Sequence, residues 1–307
     1  MNYRIRLKIA GVLIQMESKH PLQKFNLKQQ RQRRHGRFHN FFYHGRQKPQ
    51  VRIKIEIKDK LPKISKKAKE LFLTKNFDGI GTNWRLLTYK GGYIYKNFVK
   101  AKKQIMTMDK NFKSITVFLL PKNKQRVWDM ADIVYDFLQI LLINYFARYK
   151  LGIFAHAMGV KDVNKNGFLF LGESGAGKST MARIWHKHTK AQILNDDRVI
   201  IRRENNGNFF IYGTPWHGNF SDYLGARMEK ARLVKLFFIY HNSHNEAKRI
   251  VQKAAFRFFY PAIFPTFWDK EYLENIASLS CDLLDRVPCF RLGFVNDKNI
   301  IEFVRKK

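Results

Sequence analysis

Residues 172–180 read Gly-Glu-Ser-Gly-Ala-Gly-Lys-Ser-Thr, a complete G-x-x-x-x-G-K-[ST] string. The chemistry this pattern supports is the holding of phosphate. Gly172, Gly175 and Gly177 let the chain turn tightly, so that backbone N–H groups of the run, Ser174 and Ala176 included, converge on phosphate oxygens. Lys178 brings a positive charge to the terminal phosphates, and the hydroxyl of Ser179, next to Thr180, is placed for a Mg²⁺ ion bridging two of them.

A second group lies one helix downstream, in Ile193-Leu194-Asn195-Asp196-Asp197-Arg198-Val199. Two adjacent carboxylates at the end of a short apolar strand, beside bound nucleotide, can divide the work. One faces the metal and the other accepts a proton from an attacking hydroxyl. His156, within Phe154-Ala155-His156-Ala157, stands in an apolar strand. By residue type alone it reads more readily as a core histidine than as a catalyst. His217, among the turn residues of Trp216-His217-Gly218, divides evenly between a structural and a substrate-facing role.

These groups need elements to hold them. An apolar strand, Phe168 to Leu171, feeds the glycines, and a helix carrying Met181, Ile184 and Trp185 on one face leaves them. The strand after that helix, which ends at the aspartates, is expected beside the strand that enters the glycines, so that both strand ends reach one crevice. Upstream, Ile153 to Val160 pairs with Gly167 to Leu171 through a turn at Lys165 to Gly167. Farther back the chain reads as β-rich over Tyr3 to Met16, Val51 to Lys58, Trp84 to Tyr89, Tyr93 to Val99 and Ser114 to Leu120. A long helix over Trp128 to Arg148 joins the two parts, with apolar residues at helical spacing from Ile133 to Tyr145. The chain closes with a helix (Glu271 to Arg286), a strand (Cys289 to Phe294) and a short helix (Lys298 to Arg305).

The ordered set of His156, the hairpin, the Gly172 to Thr180 string and Asn195-Asp196-Asp197-Arg198-Val199 resembles the kinase domain of bacterial HPr kinase/phosphorylase. That domain is grouped with the ATP-dependent phosphoenolpyruvate carboxykinases. Tyr212 to Gly218, Phe264 to Asp269 and Val287 to Phe294 look like strings of HPr-kinase-related proteins. The resemblance covers roughly residues 150 to 305. It implies an α/β (α+β) protein: a β-rich module at 1–125, then an ATP-binding domain with a mixed sheet at 126–307, led by a helix at 126–149. It implies ATP and Mg²⁺ as cofactors, and transfer of the γ-phosphate to a hydroxyl, a serine of a peptide or small protein. Gly172, Ser174, Gly175, Gly177, Lys178 and Ser179 would hold the nucleotide, Asp196 would act as base, Asp197 would stand on the metal side, and His156 would lie close to the base. The stretch Phe210 to Gly218 lacks the acidic residue of the HPr enzyme's signature, so reverse phosphorolysis is not expected and HPr is a poor candidate acceptor. Oligomers occur among the HPr kinases, and one is compatible with this chain.

The composition sets two rivals beside this reading. Lys and Arg total 58 against 24 Asp and Glu, a net charge of +34, which excludes an acidic disordered chain. Arg31, Arg33, Arg34, Arg37 and Arg46, interleaved with Phe38, Phe41, Phe42 and Tyr43, suit phosphate contact and base stacking, so a nucleic-acid-associated ATPase is the first rival. The charge excess equally fits a Lys-rich chain with no polyanion partner, and nucleic acid is not the favoured partner. The second rival is a nucleotide-binding regulatory module without catalysis. The aromatic cluster Phe256, Phe258, Phe259, Tyr260, Phe264, Phe267 and Trp268 is expected in a core or an interface. The apolar run Val134 to Tyr149 falls short of the roughly 20 residues of a membrane span. Cys281 and Cys289 lack a CxxC spacing and no secretory signal precedes the first apolar stretch, so a cytoplasmic setting is expected.

Overall fold

The structure, a computed structural model, describes residues 3–22, 38–75, 82–97, 104–121, 126–216, 218 and 228–307. It is a mixed α/β protein, rich in strand, that divides into two compact units. The first holds residues 1–29, 42–145 and 267–270, and the second holds 30–41, 146–266 and 271–307.

The first unit is one eight-stranded sheet built from β1 (Tyr3–Ile9), β2 (Val12–Ser18), β3 (Val51–Ile57), β4 (Lys69–Lys75), β5 (Thr82–Tyr89), β6 (Gly92–Asn97), β7 (Gln104–Met108) and β8 (Ser114–Leu119). The strand order is β1-β2-β3-β8-β7-β6-β5-β4. β3 shows how the alternation of its residues sets its faces: Val51, Ile53, Ile55 and Ile57 are buried while Arg52 and Lys54 face outward. The β-rich stretch Tyr3 to Met16 is two strands, the second running on to Ser18. Ala10 and Gly11 both take positive φ (44° and 81°) and fold it into a hairpin, which apolar alternation alone does not reveal. β4 and β7 lie outside the stretches expected as strands: Lys69–Lys75 sets Leu71, Phe72 and Leu73 in one run without period-two alternation, and Gln104–Met108 is only five residues long. The connecting helix, α1, runs through Met130–Ile133, a π-helical turn at Val134–Leu138 and Gln139–Arg148. Ile133, Val134, Phe137, Leu138, Leu141 and Leu142 are fully buried, as their spacing requires. No helix among the described residues is long and apolar enough to cross a membrane.

The second unit contains β9 (Ile153–Lys161), β10 (Asn166–Leu171), α2 (Lys178–His188), β11 (Gln192–Asn195), β12 (Arg198–Arg203), β13 (Phe209–Tyr212), β14 (Lys230–His241), β15 (Glu246–Ile250), α3 (Gln252–Phe259), α4 (Lys270–Arg286), β16 (Cys289–Phe294) and α5 (Asn299–Lys306). Two long strands each pair with several neighbours along their length. β9 pairs with β12 through Ile153 to His156 and with β10 through Ala157 to Lys161. β14 pairs with β13 at its start, with β10 along its middle and with β16 at its end. Strands β10, β9, β12, β13 and β14 therefore close on themselves, while β10, β14 and β16 run parallel and end on the same side.

Helices α2 and α5 cover one face of this sheet. Met181, Ile184 and Trp185 from α2, with Ile300, Ile301 and Val304 from α5, bury against Phe168, Phe170, Phe237, Phe290 and Leu292. The rings of Phe168 and Trp185 lie 5.7 Å apart, and Phe237 stacks on Phe170 at 5.3 Å and on Phe290 at 5.5 Å. Helix α5 is tied down by a fork. Arg305 donates from Nε to Asp162 Oδ2 at 2.9 Å and from Nη2 to Oδ1 at 2.7 Å, onto a carboxylate with no exposed side-chain surface. Removing the guanidinium leaves a buried charge uncompensated. Arg305→Ala is expected to cost about 3 kcal/mol of stability, read as a lower urea midpoint. An unchanged midpoint would show that the fork does not hold α5.

Candidate functional site

The Gly172 to Thr180 string lies at the end of the three parallel strands β10, β14 and β16 where their carboxyl ends meet. β10 ends at Leu171, the glycines turn the chain, and α2 starts at Lys178. Gly175 and Gly177 stand at φ of 84° and 100°, in the left-handed region. At Gly177 the requirement is double, since a Cβ there would also sit 2.7 Å from Phe294 Cζ. Gly177 is the N-cap of α2 with no side-chain cap, so the first N–H groups of the helix are left for an anion in the loop.

Two side chains brace this loop. Lys178, only 8% exposed, donates from Nζ to the carbonyl oxygens of Gly172 at 2.7 Å and Glu173 at 3.0 Å. Burial lowers its pKa, and the charge of Asp197 works against that shift. His241, at the end of β14, stands with Nε2 2.7 Å from the Gly175 carbonyl oxygen; since a carbonyl only accepts, that nitrogen carries a proton. Nothing in the sequence marks His241, because its partner is 66 residues away.

The aspartates reach the same place by a route different from the one expected. β11 does not lie beside β10: it pairs antiparallel with β9, which also pairs antiparallel with β10. With β9 between them, β10 and β11 still run in the same direction, so the loop and Asp196-Asp197 emerge at the same edge. The pivot is Asn195, fully buried. Its Oδ1 accepts from the backbone N–H groups of Asp197 and Arg198, each at 2.8 Å, which makes the turn that presents the two carboxylates. Its Nδ2 donates to Thr214 O at 3.1 Å and Trp216 O at 2.7 Å, which fastens that turn to the segment after β13. In the sequence Asn195 stands out only as part of the string around the aspartates. An asparagine directly before two aspartates and after an apolar strand is the signal that marks such a pivot.

Asp196 is 3% exposed and accepts from the N–H of Gly218 at 2.9 Å. A Cβ at Gly218 would stand 2.8 Å from Asp196 Oδ2 and 3.1 Å from Asp197 Cβ, so this approach needs glycine. Asp197 Oδ1 is held at 3.0 Å by His156 Nε2 and at 2.6 Å by Arg198 Nη1. Burial pushes the Asp197 carboxyl upward, but the His156 hydrogen bond and the charges of Arg198, His156 and Lys178 outweigh it and hold the group below its ordinary value. Arg198 is itself seated 4.5 Å from the centre of the Phe264 ring. His156 sits where β9 changes partner: its Cα opposes Arg198 of β12, and the next residue, Ala157, opposes Leu171 of β10.

His156, Ser174, Gly175, Gly177, Lys178, Ser179, Thr180, Asp196 and Asp197 line one cavity of about 520 Å³, within the range of cofactor sites. Gly172 and Ala176 face an adjoining cavity. The donors suit Mg²⁺ held together with phosphate: the hydroxyls of Ser174, Ser179 and Thr180 and two carboxylates share the cavity, and this ion takes one or two carboxylates plus phosphate oxygens and water. Among the described residues no cluster of three or more His, Cys, Asp or Glu forms a cage for a metal held by protein alone. The arrangement can bind a nucleotide polyphosphate, compensate its charge, and present a carboxylate–imidazole pair to a hydroxyl.

His217, Arg31, Arg33, Arg34 and Arg37 lie outside the described residues. The aromatic cluster is not a single core. Phe259 is fully buried, Phe258 and Phe267 are 41% and 60% exposed, and Phe267 and Trp268 group with the first unit. Compared with models of protein families and with curated proteins, the chain matches none.

Proposed function

We propose that the second unit is an ATP·Mg²⁺-dependent kinase of the kind the HPr-kinase resemblance implies, moving a γ-phosphate to a hydroxyl on a peptide or small protein. The observation that carries this reading is the shared cavity: a phosphate loop and a hydrogen-bonded His156–Asp197 pair face the same space. A phosphate-binding module without chemistry has no need of that pair.

The backbone N–H groups at the start of α2 and the Lys178 ammonium would bind the phosphates. Ser179 and Asp196 would hold Mg²⁺, which when bound neutralises charge on the phosphate oxygens. Asp197 would orient the acceptor hydroxyl and take its proton, with His156 fixing the carboxylate. This reverses the roles first expected for the two aspartates, and the reason is local. His156 meets Asp197, and a carboxylate already compensated by Arg198 and His156 offers less charge to a metal than one held by a backbone N–H.

The test is transfer of the ³²P label from [γ-³²P]ATP, with Mg²⁺, to a library of serine- and threonine-containing peptides, run beside calorimetric titration with ATP. Label on a hydroxyl amino acid is the expected result. Protein that binds ATP·Mg²⁺ and labels nothing in the library or in a lysate would overturn the assignment and favour the regulatory reading.

A further inference from the structure

A second cavity of about 870 Å³ adjoins the first and shares His156, Ser174 and Gly175 with it. The two divide the phosphate loop between them. Lys178, Ser179 and Thr180 line only the first, while Gly172, Glu173 and Ala176 line only the second. In a loop of this type the helix-side residues hold the inner phosphates, the lysine reaches the terminal ones, and the transferred group lies toward the acceptor. A nucleotide seated in the first cavity therefore leaves the second for the acceptor, with His156 at the boundary.

The lining of the second cavity selects for charge. It carries Arg257, Arg291 and His241 against a single carboxylate, Glu173. Arg291 is fixed between two rings, with its guanidinium 4.5 Å from the centre of Tyr240 and 4.4 Å from that of Phe258. Such stacking orders the fork before a ligand arrives and lowers the cost of binding an anion. Arg257 is exposed beside it on α3. Phe258, Pro261, Ala262 and Ile239 supply apolar wall, and Phe258 is 41% exposed although it is a large aromatic. Guanidiniums set beside an apolar wall match a peptide chain bearing carboxylates better than a small free anion, which has no use for that wall.

We infer that this second cavity docks an acidic peptide segment, whose carboxylates pair with Arg257 and Arg291 and whose serine or threonine is delivered to His156 and Asp197. The inference rests on the kinase reading for the fate of the hydroxyl, but the docking itself is measurable without nucleotide.

The experiment uses the full chain and three fluorescein-labelled heptapeptides with a central serine flanked by Asp/Glu, by Gln/Ala or by Lys, with binding followed by anisotropy at moderate salt. The acidic peptide is expected to bind at least tenfold tighter than the neutral one. Arg257→Glu is expected to abolish that preference, and Arg291→Met to weaken it. Lys187→Glu, the same charge reversal on an exposed residue at the end of α2, controls for the basic surface as a whole and is expected to leave the preference in place. Equal binding of acidic and neutral peptides overturns the inference, as does equal weakening by Arg257→Glu and Lys187→Glu. Displacement of the acidic peptide by millimolar inorganic phosphate, with the same Arg257 dependence, also overturns it and assigns the cavity to a small anion. ATP titrations on the same samples separate the two levels. Lost ATP binding with charge selectivity intact sinks the kinase reading alone, and the reverse sinks the docking alone.

Discussion

Lys178→Ala is expected to lower affinity for ATP·Mg²⁺ about a hundredfold while leaving thermal unfolding close to that of the parent. The size follows from what the ammonium can do. A hydrogen bond to a charged partner contributes about 1.5–3 kcal/mol, and one cation meeting two phosphate groups reaches roughly 3 kcal/mol, a factor of about a hundred. In the structure Nζ is committed to the carbonyl oxygens of Gly172 and Glu173, so the side chain is already aimed across the loop and loses little freedom when phosphate arrives. Fold stability should hold because the helix it opens is anchored by Met181, Ile184 and Trp185, not by the lysine. Lys178→Arg is the sharper control. It keeps the charge but cannot place a compact ammionium-sized group over both carbonyls, and should recover only part of the affinity. Calorimetry reads both variants. Affinity unchanged in Lys178→Ala would mean that the loop does not hold phosphate.

Asp197→Asn should lower phosphoryl transfer by about 10²–10⁴-fold, the usual contribution of a positioned acid or base, while ATP affinity moves little. Asp196→Asn should do the opposite first, raising the Mg²⁺ concentration needed for nucleotide binding. If instead Asp196→Asn stops transfer with ATP·Mg²⁺ affinity intact and Asp197→Asn leaves transfer running, the roles are those the bare sequence suggests. The pH dependence gives an independent check. Asp197 lies below its ordinary value in the folded protein, because the His156 hydrogen bond and the neighbouring cations outweigh burial. A carboxyl with a depressed folded pKa contributes stability above its unfolded pKa of about 3.9, and that contribution is lost as pH falls through the folded value. The acid limb of transfer attributable to Asp197 should therefore lie below the ordinary carboxylate range, and His156→Ala should move it upward toward that range. An acid limb that does not move in His156→Ala would detach His156 from Asp197 in solution.

Much of this site was written along the chain. The glycine string, the lysine and the serine after it form a contiguous motif whose strand and helix follow from local periodicity, so the strand–loop–helix around Gly172 to Thr180 is legible from the sequence alone. The adjacency of Asp196 and Asp197, the terminal strand Cys289–Phe294 and the buried stripe of α1 are local in the same sense. Alternation marks a strand where one face is apolar throughout, as in β3, whereas β4 clusters Leu71, Phe72 and Leu73 between polar ends and β7 is only five residues long. Positive φ at Ala10 and Gly11 leaves no mark in hydrophobic period, so the hairpin inside the β-rich stretch Tyr3 to Met16 is not legible from apolar spacing.

What the sequence by itself determined, then, is a set of groups whose types suit phosphate and proton transfer, and the local elements that carry them. Only the tertiary structure decided which groups meet. β9 passes from one set of partners to another at His156, and that change of partner sets the imidazole against Asp197 instead of Asp196. β14 ends beside the loop and so brings His241 to Gly175 from 66 residues away, and β16, running parallel to it, puts Arg291 at the wall of the second cavity. These contacts depend on strand order and register, which the burial of whole sheet faces selects collectively, and no window of neighbouring residues encodes them.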